Sequence, residues 1–257
     1  MAAPKIEQKI YTGIVLDFET GGLDVSRCAC TQIAMQSVRF DTWELIDRYA
    51  QYICPYSRQN LGLAKRKVLR NKREMEQEKA GVLMDYEKVA LDYSGITMDM
   101  LYKSGVAVEE VAKDVIRFAE DAAITKGAQC KPILIGQNIT FDINFLVQLM
   151  NYAGKVKEFE KVFAGKTDFY GNFQPHYVDS IDLARFALAH DPAVSSYKLE
   201  LICERLGIEL DDAHDADADV TATLNVARVC SARLRNTEGG RAIDLGKPEK
   251  TRNHFKI

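Results

Sequence analysis

Three short stretches carry acidic residues at spacings that could hold a cation. In Asp17-Phe18-Glu19-Thr20 two carboxylates stand two residues apart, at the end of an apolar, β-prone run from Tyr11 to Phe18. Side chains two apart on a strand share a face, so Asp17 and Glu19 stand together while Leu16 and Phe18 turn to the core. Side by side they repel. A polar loop could dissipate that repulsion in water, whereas at a buried strand end the remedy is a raised pKa or a bound cation. In Gly136-Gln137-Asn138-Ile139-Thr140-Phe141-Asp142 an apolar strand gives way to a helix. Asn138 is read as its cap and Asp142 falls in the first turn, where the positive helix terminus favours a carboxylate. Asp142 then either complements the helix dipole or belongs to a site. In His214-Asp215-Ala216-Asp217-Ala218-Asp219-Val220 the last long helix begins. Five helical residues turn through about 500°, so His214 and Asp219 converge only if His214 sits in the preceding loop. Asp215 or Asp217 serves as cap, and Ala216 and Ala218 keep the near face small. Taken singly, this stretch is a capped helix start with an incidental histidine.

Their sum says more. Asp17, Glu19, Asp142 and Asp219 come from separate parts of the chain, each at a strand end or a helix start, where α/β folds assemble sites. Four carboxylates with no cysteine or clustered histidine ligands suit a hard cation such as Mg²⁺ or Mn²⁺.

The elements that must position them follow from hydropathy. Strands are expected over Tyr11 to Phe18, Thr31 to Phe40 and Trp43 to Ile53, joined by short turns as an antiparallel meander. Helices are expected over Thr97 to Ser104 and Val108 to Ile124, the second with Val108, Val111, Val115, Phe118 and Ala119 on one stripe. Pro132 to Ile135 reads as a strand buried on both faces, Ile139 to Tyr152 as a helix and His176 to Val178 as a strand. Ser180 to Leu188, Ser196 to Leu206 and Asp217 to Leu234 read as helices. The order indicates a mixed α/β sheet. Between Arg58 and Tyr93, Lys65, Arg66, Lys67, Arg70, Lys72 and Arg73 are followed by Glu74, Glu76 and Glu78. Ala64, Val68, Met75, Val82, Tyr86 and Val89 recur at helical spacing, so this charged insertion is expected to be helical, either as a solvated face or as a basic surface guiding a polynucleotide.

A chain of 257 residues, 47% hydrophobic and 28% charged, has the make-up of an ordinary globular protein, with 16 Gly, 6 Pro and no fixed repeat. That excludes collagen, coiled-coil arrays and whole-chain disorder. The N-terminus lacks a basic region followed by an apolar run, and no apolar stretch approaches the ~20 residues needed to cross a bilayer, so a cytoplasmic location is expected. A net charge of −3 does not advertise nucleic acid, although acidic residues around metals can coexist with a local basic patch. The six cysteines form no pair of CxxC knuckles and are read as reduced, mostly buried thiols.

With these residues in place, the pattern resembles the DEDDh group of 3′-to-5′ exonucleases, of ribonuclease H-like fold, from about Thr12 to Arg235. The Asp-x-Glu-Thr of the first motif is Asp17 to Thr20, the Asn-x-x-Phe-Asp of the second is Asn138 to Asp142, and the His-x-Ala-x-x-Asp of the third is His214 to Asp219. Ser94-Gly95-Ile96-Thr97 resembles the Gly-Ile-Thr segment between the first two. The resemblance implies a ribonuclease H-like mixed sheet, with an antiparallel meander and parallel strands flanked by helices. The domain spans residues 10–235 with the insertion at 58–93, and 236–257 is a peripheral tail. Two departures stand out: the insertion is longer than the usual connection, and Gln137 stands where many members have histidine.

The resemblance further implies a two-cation mechanism. Asp17, Glu19 and Asp219 hold one Mg²⁺ or Mn²⁺, Asp17 also reaches a second, and Asp142 binds through water. His214 is the general base, its ordinary pKa of about 6.5 leaving it neutral at physiological pH. The substrate is the 3′ end of single-stranded DNA or RNA, and 5′-mononucleotides are released. The backbone of Thr20, Gly21 and Gly22 faces the terminal sugar, Leu23 wedges against the bases unless it is only a surface turn residue, and Asn138 with Phe141 lines the far side. A polymerase or sliding clamp is a partner if the role is proofreading, and Gln59-Asn60-Leu61-Gly62-Leu63 faintly resembles clamp-docking peptides. A homodimer is left open. The alternative is a catalytically idle module that uses the same fold to bind nucleic acid or a partner protein.

Overall fold

The computed structural model describes residues 9–58, 81–210 and 215–235. Three antiparallel strands come first: β1 (Thr12–Thr20), β2 (Cys30–Arg39) and β3 (Leu45–Tyr52). Then follow α1 (Lys88–Ser94), α2 (Met98–Ser104), α3 (Val108–Ala122), β4 (Ile133–Gly136), α4 (Thr140–Tyr152) and α5 (Val156–Val162). A hairpin of β5 (Gly165–Thr167) and β6 (Phe173–Pro175) leads to β7 (Tyr177–Asp179), α6 (Ser180–Ala187), α7 (Leu199–Leu206) and α8 (Ala216–Arg235). The main sheet has the order β3-β2-β1-β4-β7, with β1 antiparallel to β2 and parallel to β4, and β4 parallel to β7. This is the mixed, ribonuclease H-like sheet expected from the sequence. Among the described residues no helix is long and apolar enough to cross a membrane.

The alternation of β1 decides which helices cover which face. Ile14, Leu16 and Phe18 join Ile33 and Met35 of β2 in a core with Val111 and Val115 of α3 and Phe145 and Leu149 of α4. Val15 points the other way and packs with Ala34 and Ile135 against Ala216, Val220 and Ala227 of α8. Those helix positions recur along one face, which is why α8 lies flat on the sheet. A fully buried valine such as Val220 contributes about 1.5–3 kcal/mol of transfer free energy. The opposite face of α8 buries Ala222, Val226 and Cys230 against Ala184 of α6 and Ile202 of α7. The last helix is thus clamped between the sheet and two helices, and its first turn has a fixed position beside β1.

Two expectations need correction. Residues 81–87 are not helical: Arg58 N donates to Val82 O (2.7 Å), Met84 N to Tyr56 O (3.0 Å) and Asp85 N to Arg27 O (2.8 Å). Extended pairing wins because it buries Met84 (2% exposed), while the supposed helical stripe residues Val82 (71%) and Val89 (81%) face outward. Residues 59–80, with the clamp-like Gln59 to Leu63, lie outside the described residues, as do His214 and the tail 236–257. The second correction concerns Asn138. It adopts a left-handed conformation (φ 55°) one residue outside the N-cap Ile139, and the helix has no side-chain cap. Asn138 instead turns the chain, with its amide donating to Asp179 Oδ1 (3.2 Å) and its carbonyl accepting from Phe141 N (3.0 Å).

Candidate active site

Asp17 and Glu19 project from the α8 side of β1, as the strand period requires, and Asp219 enters from the first turn of α8. One oxygen from each of the three lies within 4.8 Å of the others, all on half-buried side chains. Asp142 comes from behind. The pairing of β1 with β4 ends at Val15 and Ile135, and beyond it the Phe18 amide donates to Asp142 Oδ1 at 3.0 Å. Asp142 is only 3% exposed. Gly136 permits this approach, because a Cβ there would meet Ile139 Cδ1 at 2.4 Å and the Leu16 carbonyl oxygen at 3.0 Å.

Burial and mutual repulsion both act on these carboxyls. Burial, then the charges of Asp219 and Asp215, raises Asp17 to about 7. Burial, followed by Asp17, Asp219 and Asp215, raises Glu19 to about 8. Burial and then Asp17 hold Asp142 well above the usual carboxylate range, against the lowering effect of amide donors from Phe18 and its own backbone. Carboxyls gathered against this much desolvation are what a doubly charged cation stabilises. The donor set is all oxygen, which fits a hard ion of the Mg²⁺ or Mn²⁺ type.

The surrounding loop is held by a dense set of bonds. Gly21 N donates to Ala29 O (2.8 Å), Glu87 N to Gly21 O (2.7 Å), and Thr20 Oγ1 to Gly22 O (2.8 Å). A Cβ on Gly21 would meet the Asp85 carbonyl oxygen at 2.5 Å, so only glycine allows residues 81–87 to run this close. Leu23 then stands 85% exposed at the loop tip. Phe141 is half-buried with its ring 4.9 Å from that of Phe145, and Asn138 is exposed.

Several supports are not visible as motifs in the sequence. Gln32 Nε2 donates to Asp215 Oδ1 (2.9 Å), so the acidic residue opening α8 is held by β2, and its carbonyl accepts from Asp219 N (3.0 Å). Gln148, buried on α4, donates to Cys28 O (2.9 Å) and Val25 O and accepts from Tyr56 Oη (2.7 Å). It anchors the loop that carries Leu23. A lone glutamine on the apolar face of a helix was the available signal. Tyr93 of α1 is a third such residue: partial burial and the carboxylates of Glu200, Glu19 and Asp219 raise its phenol, and it remains 65% exposed at the site's mouth. Gln137 braces the segment before α7, donating to Tyr197 O (2.8 Å) and accepting from Ser180 Oγ.

Fold and carboxylates together define a class. The exonuclease family RNase_T matches residues 83–227, more than half of the chain, and the chain belongs to this family. That span contains Asp142 and Asp219, while Asp17 and Glu19 precede it. Among solved structures the chain is similar to Escherichia coli exonuclease I in complex with a dT13 oligonucleotide, at 19% identity over 87% of this chain and 41% of that one, with a TM-score of 0.60. It is likewise similar to the zinc-ion-bound form of the E. coli ExoI–ssDNA complex, at 19% identity over 89% and 42%, with a TM-score of 0.60. An ExoI/SSB-Ct complex matches at 19% identity over 88% and 42%, with a TM-score of 0.58. At this identity the likeness is one of fold, and the chain spans about two-fifths of the length of those structures.

Proposed function

We propose that the chain is a divalent-cation-dependent exonuclease that works from the 3′ end of single-stranded DNA or RNA and releases 5′-mononucleotides. Residues 10–235 form the catalytic domain, with 58–93 inserted in it and 236–257 peripheral to it. The observation that carries this reading is the meeting of Asp17, Glu19 and Asp219 within 4.8 Å, with Asp142 buried beside Asp17. No structural economy of the fold requires it, since the cluster costs free energy in the absence of a countercharge.

Asp17, Glu19 and Asp219 hold the cations, two Mg²⁺ or Mn²⁺, and Asp142 completes the set from α4. When bound, such ions supply Lewis acidity to the phosphodiester and to water, and offset charge on the leaving 3′ oxygen. His214 accepts the proton of the attacking water on a ring nitrogen. Gly21 and Gly22 present backbone to the terminal sugar, and Leu23 wedges behind the terminal base. Asn138 and Phe141 line the far wall, and Tyr93 adds an aromatic face at the mouth. Apolar and aromatic contact with base faces is tolerant of sequence, so little base preference is expected.

The test is incubation of the protein and Mn²⁺ with matched single-stranded DNA and RNA labelled at the 5′ end. A ladder shortening one nucleotide at a time supports the reading and ranks the substrates. Internal cuts, or binding without cleavage, would overturn it.

A further inference from the structure

At the end of the sheet away from the carboxylates lies an open cavity of about 500 Å³, lined by Glu120, Thr125, Lys126, Lys131, Lys161 and Val162 among others. Its place in the fold is fixed by two ties. Thr125 Oγ1 bonds both the amide and the carbonyl of Ile10 (3.1 and 3.0 Å), just before β1, and Ala164 N donates to Pro132 O (3.0 Å), just before β4. The cavity therefore borders the N-terminal ends of β1 and β4. Seven residues of extended chain separate Ile10 from Asp17, about 20 Å.

Three lysines facing one cavity repel each other, and among the described residues none of them forms an ion pair. Glu158, on the same helix as Lys161, pairs closely with Lys155 (3.0 Å) and feels Lys161 only as a weaker electrostatic neighbour. From Val162 in the cavity wall the chain runs through Ala164 into the β5–β6 hairpin, which is rooted in the core by Phe173, whose ring meets Phe159 edge-on at 5.4 Å. Its tip carries Phe169 (96% exposed) and Tyr170 (84% exposed), stacked edge-to-face at 5.5 Å. The tip is preorganised: Asp168 Oδ1 accepts from Tyr170 N (2.9 Å) and Asn172 N (2.8 Å), and Asp168 N donates to Asn172 O (2.9 Å). Lys166 is exposed on the adjoining strand. Three lysines against the single carboxylate of Glu120 in the lining, with a held pair of exposed rings on a hairpin that springs from the cavity wall at Val162, are groups that can bind a single strand, phosphates on the lysines and bases on the rings.

We infer that this end of the molecule is an accessory surface for single-stranded nucleic acid, holding the 5′ part of a strand whose 3′ end lies at the carboxylates. The inference rests on the nuclease reading for the position of the 3′ end. An acidic peptide is disfavoured because it leaves the ring pair without use. At about 3.4 Å per stacked nucleotide, a trinucleotide cannot span the distance and a strand of about 20 can.

The test compares unaltered protein with a Lys126→Gln, Lys131→Gln, Lys161→Gln triple variant and with a Phe169→Ala, Tyr170→Ala double variant. Binding of labelled trinucleotide and of a 20-nucleotide single strand is read by fluorescence anisotropy in EDTA, over a range of salt. The lysine variant should bind the long strand at least ten-fold more weakly, with the slope of log K against log salt reduced by about 2, as expected for three lost phosphate contacts on a single strand. The aromatic variant should weaken long-strand binding with its salt slope unchanged. Trinucleotide affinity should be equal in all three. Unchanged long-strand affinity and slope in the lysine variant overturns the inference. Failure of the nuclease reading is distinct, since it is seen as absent cleavage by the unaltered protein with Mn²⁺.

Discussion

The Phe18 amide and the Asp142 carboxylate, 124 residues apart in sequence, meet in a buried hydrogen bond of 3.0 Å. The bond exists because β1 outruns its parallel neighbour β4, leaving a strand amide for the first turn of the next helix to satisfy. It fixes Asp142 next to Asp17, and it gives Asp142 two separable roles.

Replacing Asp142 with Asn keeps an oxygen for the Phe18 amide but removes the charge. Stability by chemical denaturation should change by less than about 1 kcal/mol, while turnover falls at least 100-fold. Asp142→Leu leaves the amide buried and without a partner, which costs about 1–3 kcal/mol. If the two variants lose equal stability, the hydrogen bond does not have the structural part assigned to it.

The raised carboxyls make the metal-free protein sensitive to pH. Asp17 and Glu19 bind protons more tightly folded than unfolded, with folded values of about 7 and 8. Their contribution to stability is therefore full below the ordinary carboxylate range and is lost as pH rises through about 7 to 8. In EDTA the melting temperature should be several degrees lower at pH 8.5 than at pH 5.5, at about 2–4 °C for each kcal/mol. Excess Mn²⁺ at pH 8.5 should restore it. A melting temperature in EDTA that rises between those pH values would contradict the electrostatic picture.

Gln148 should behave as a positioning residue. Gln148→Leu leaves the Cys28 carbonyl and the Tyr56 hydroxyl without their partner, costing about 1–3 kcal/mol for each group left unsatisfied. The loop carrying Leu23 then loosens, and KM for a short oligonucleotide should rise more than kcat falls. A drop in kcat alone would point to a role in the chemistry instead.

Leu23 offers the converse case. At 85% exposure it supports no core, so Leu23→Ala should leave the melting temperature within about one degree. KM for single-stranded DNA should rise several-fold. Unaltered kinetics would make Leu23 a surface turn residue and nothing more.

The sequence made the site more legible than its supports. Strand alternation placed Asp17 beside Glu19 and sent Leu16 and Phe18 inward, and the small residue Ala216 before Asp219 allowed the close approach of α8 that the structure has. The meander and the helices α3 and α4 followed from long periodic patterns. The three-residue strands β5 and β6 are too short to carry a period, and their hairpin was not anticipated. Residues 81–87 misled in the other direction. Val82 and Tyr86 have helical spacing, yet pairing of this segment with Arg27, Tyr56 and Arg58, distant in sequence, determines the backbone. Contacts such as Gln32 with Asp215 or Gln148 with Cys28 join positions far apart in the chain, and a single sequence gives no sign of who meets whom.

The central claim is that Asp17, Glu19 and Asp219 converge to hold divalent cations, and calorimetric titration of Mn²⁺ into the metal-free protein at pH 8 tests it without reference to catalysis. The account predicts saturable binding by the unaltered protein, at least ten-fold weaker in Asp17→Asn and in Asp219→Asn. No saturable binding by the unaltered protein, or an affinity in both variants equal to that of the unaltered protein, would contradict it.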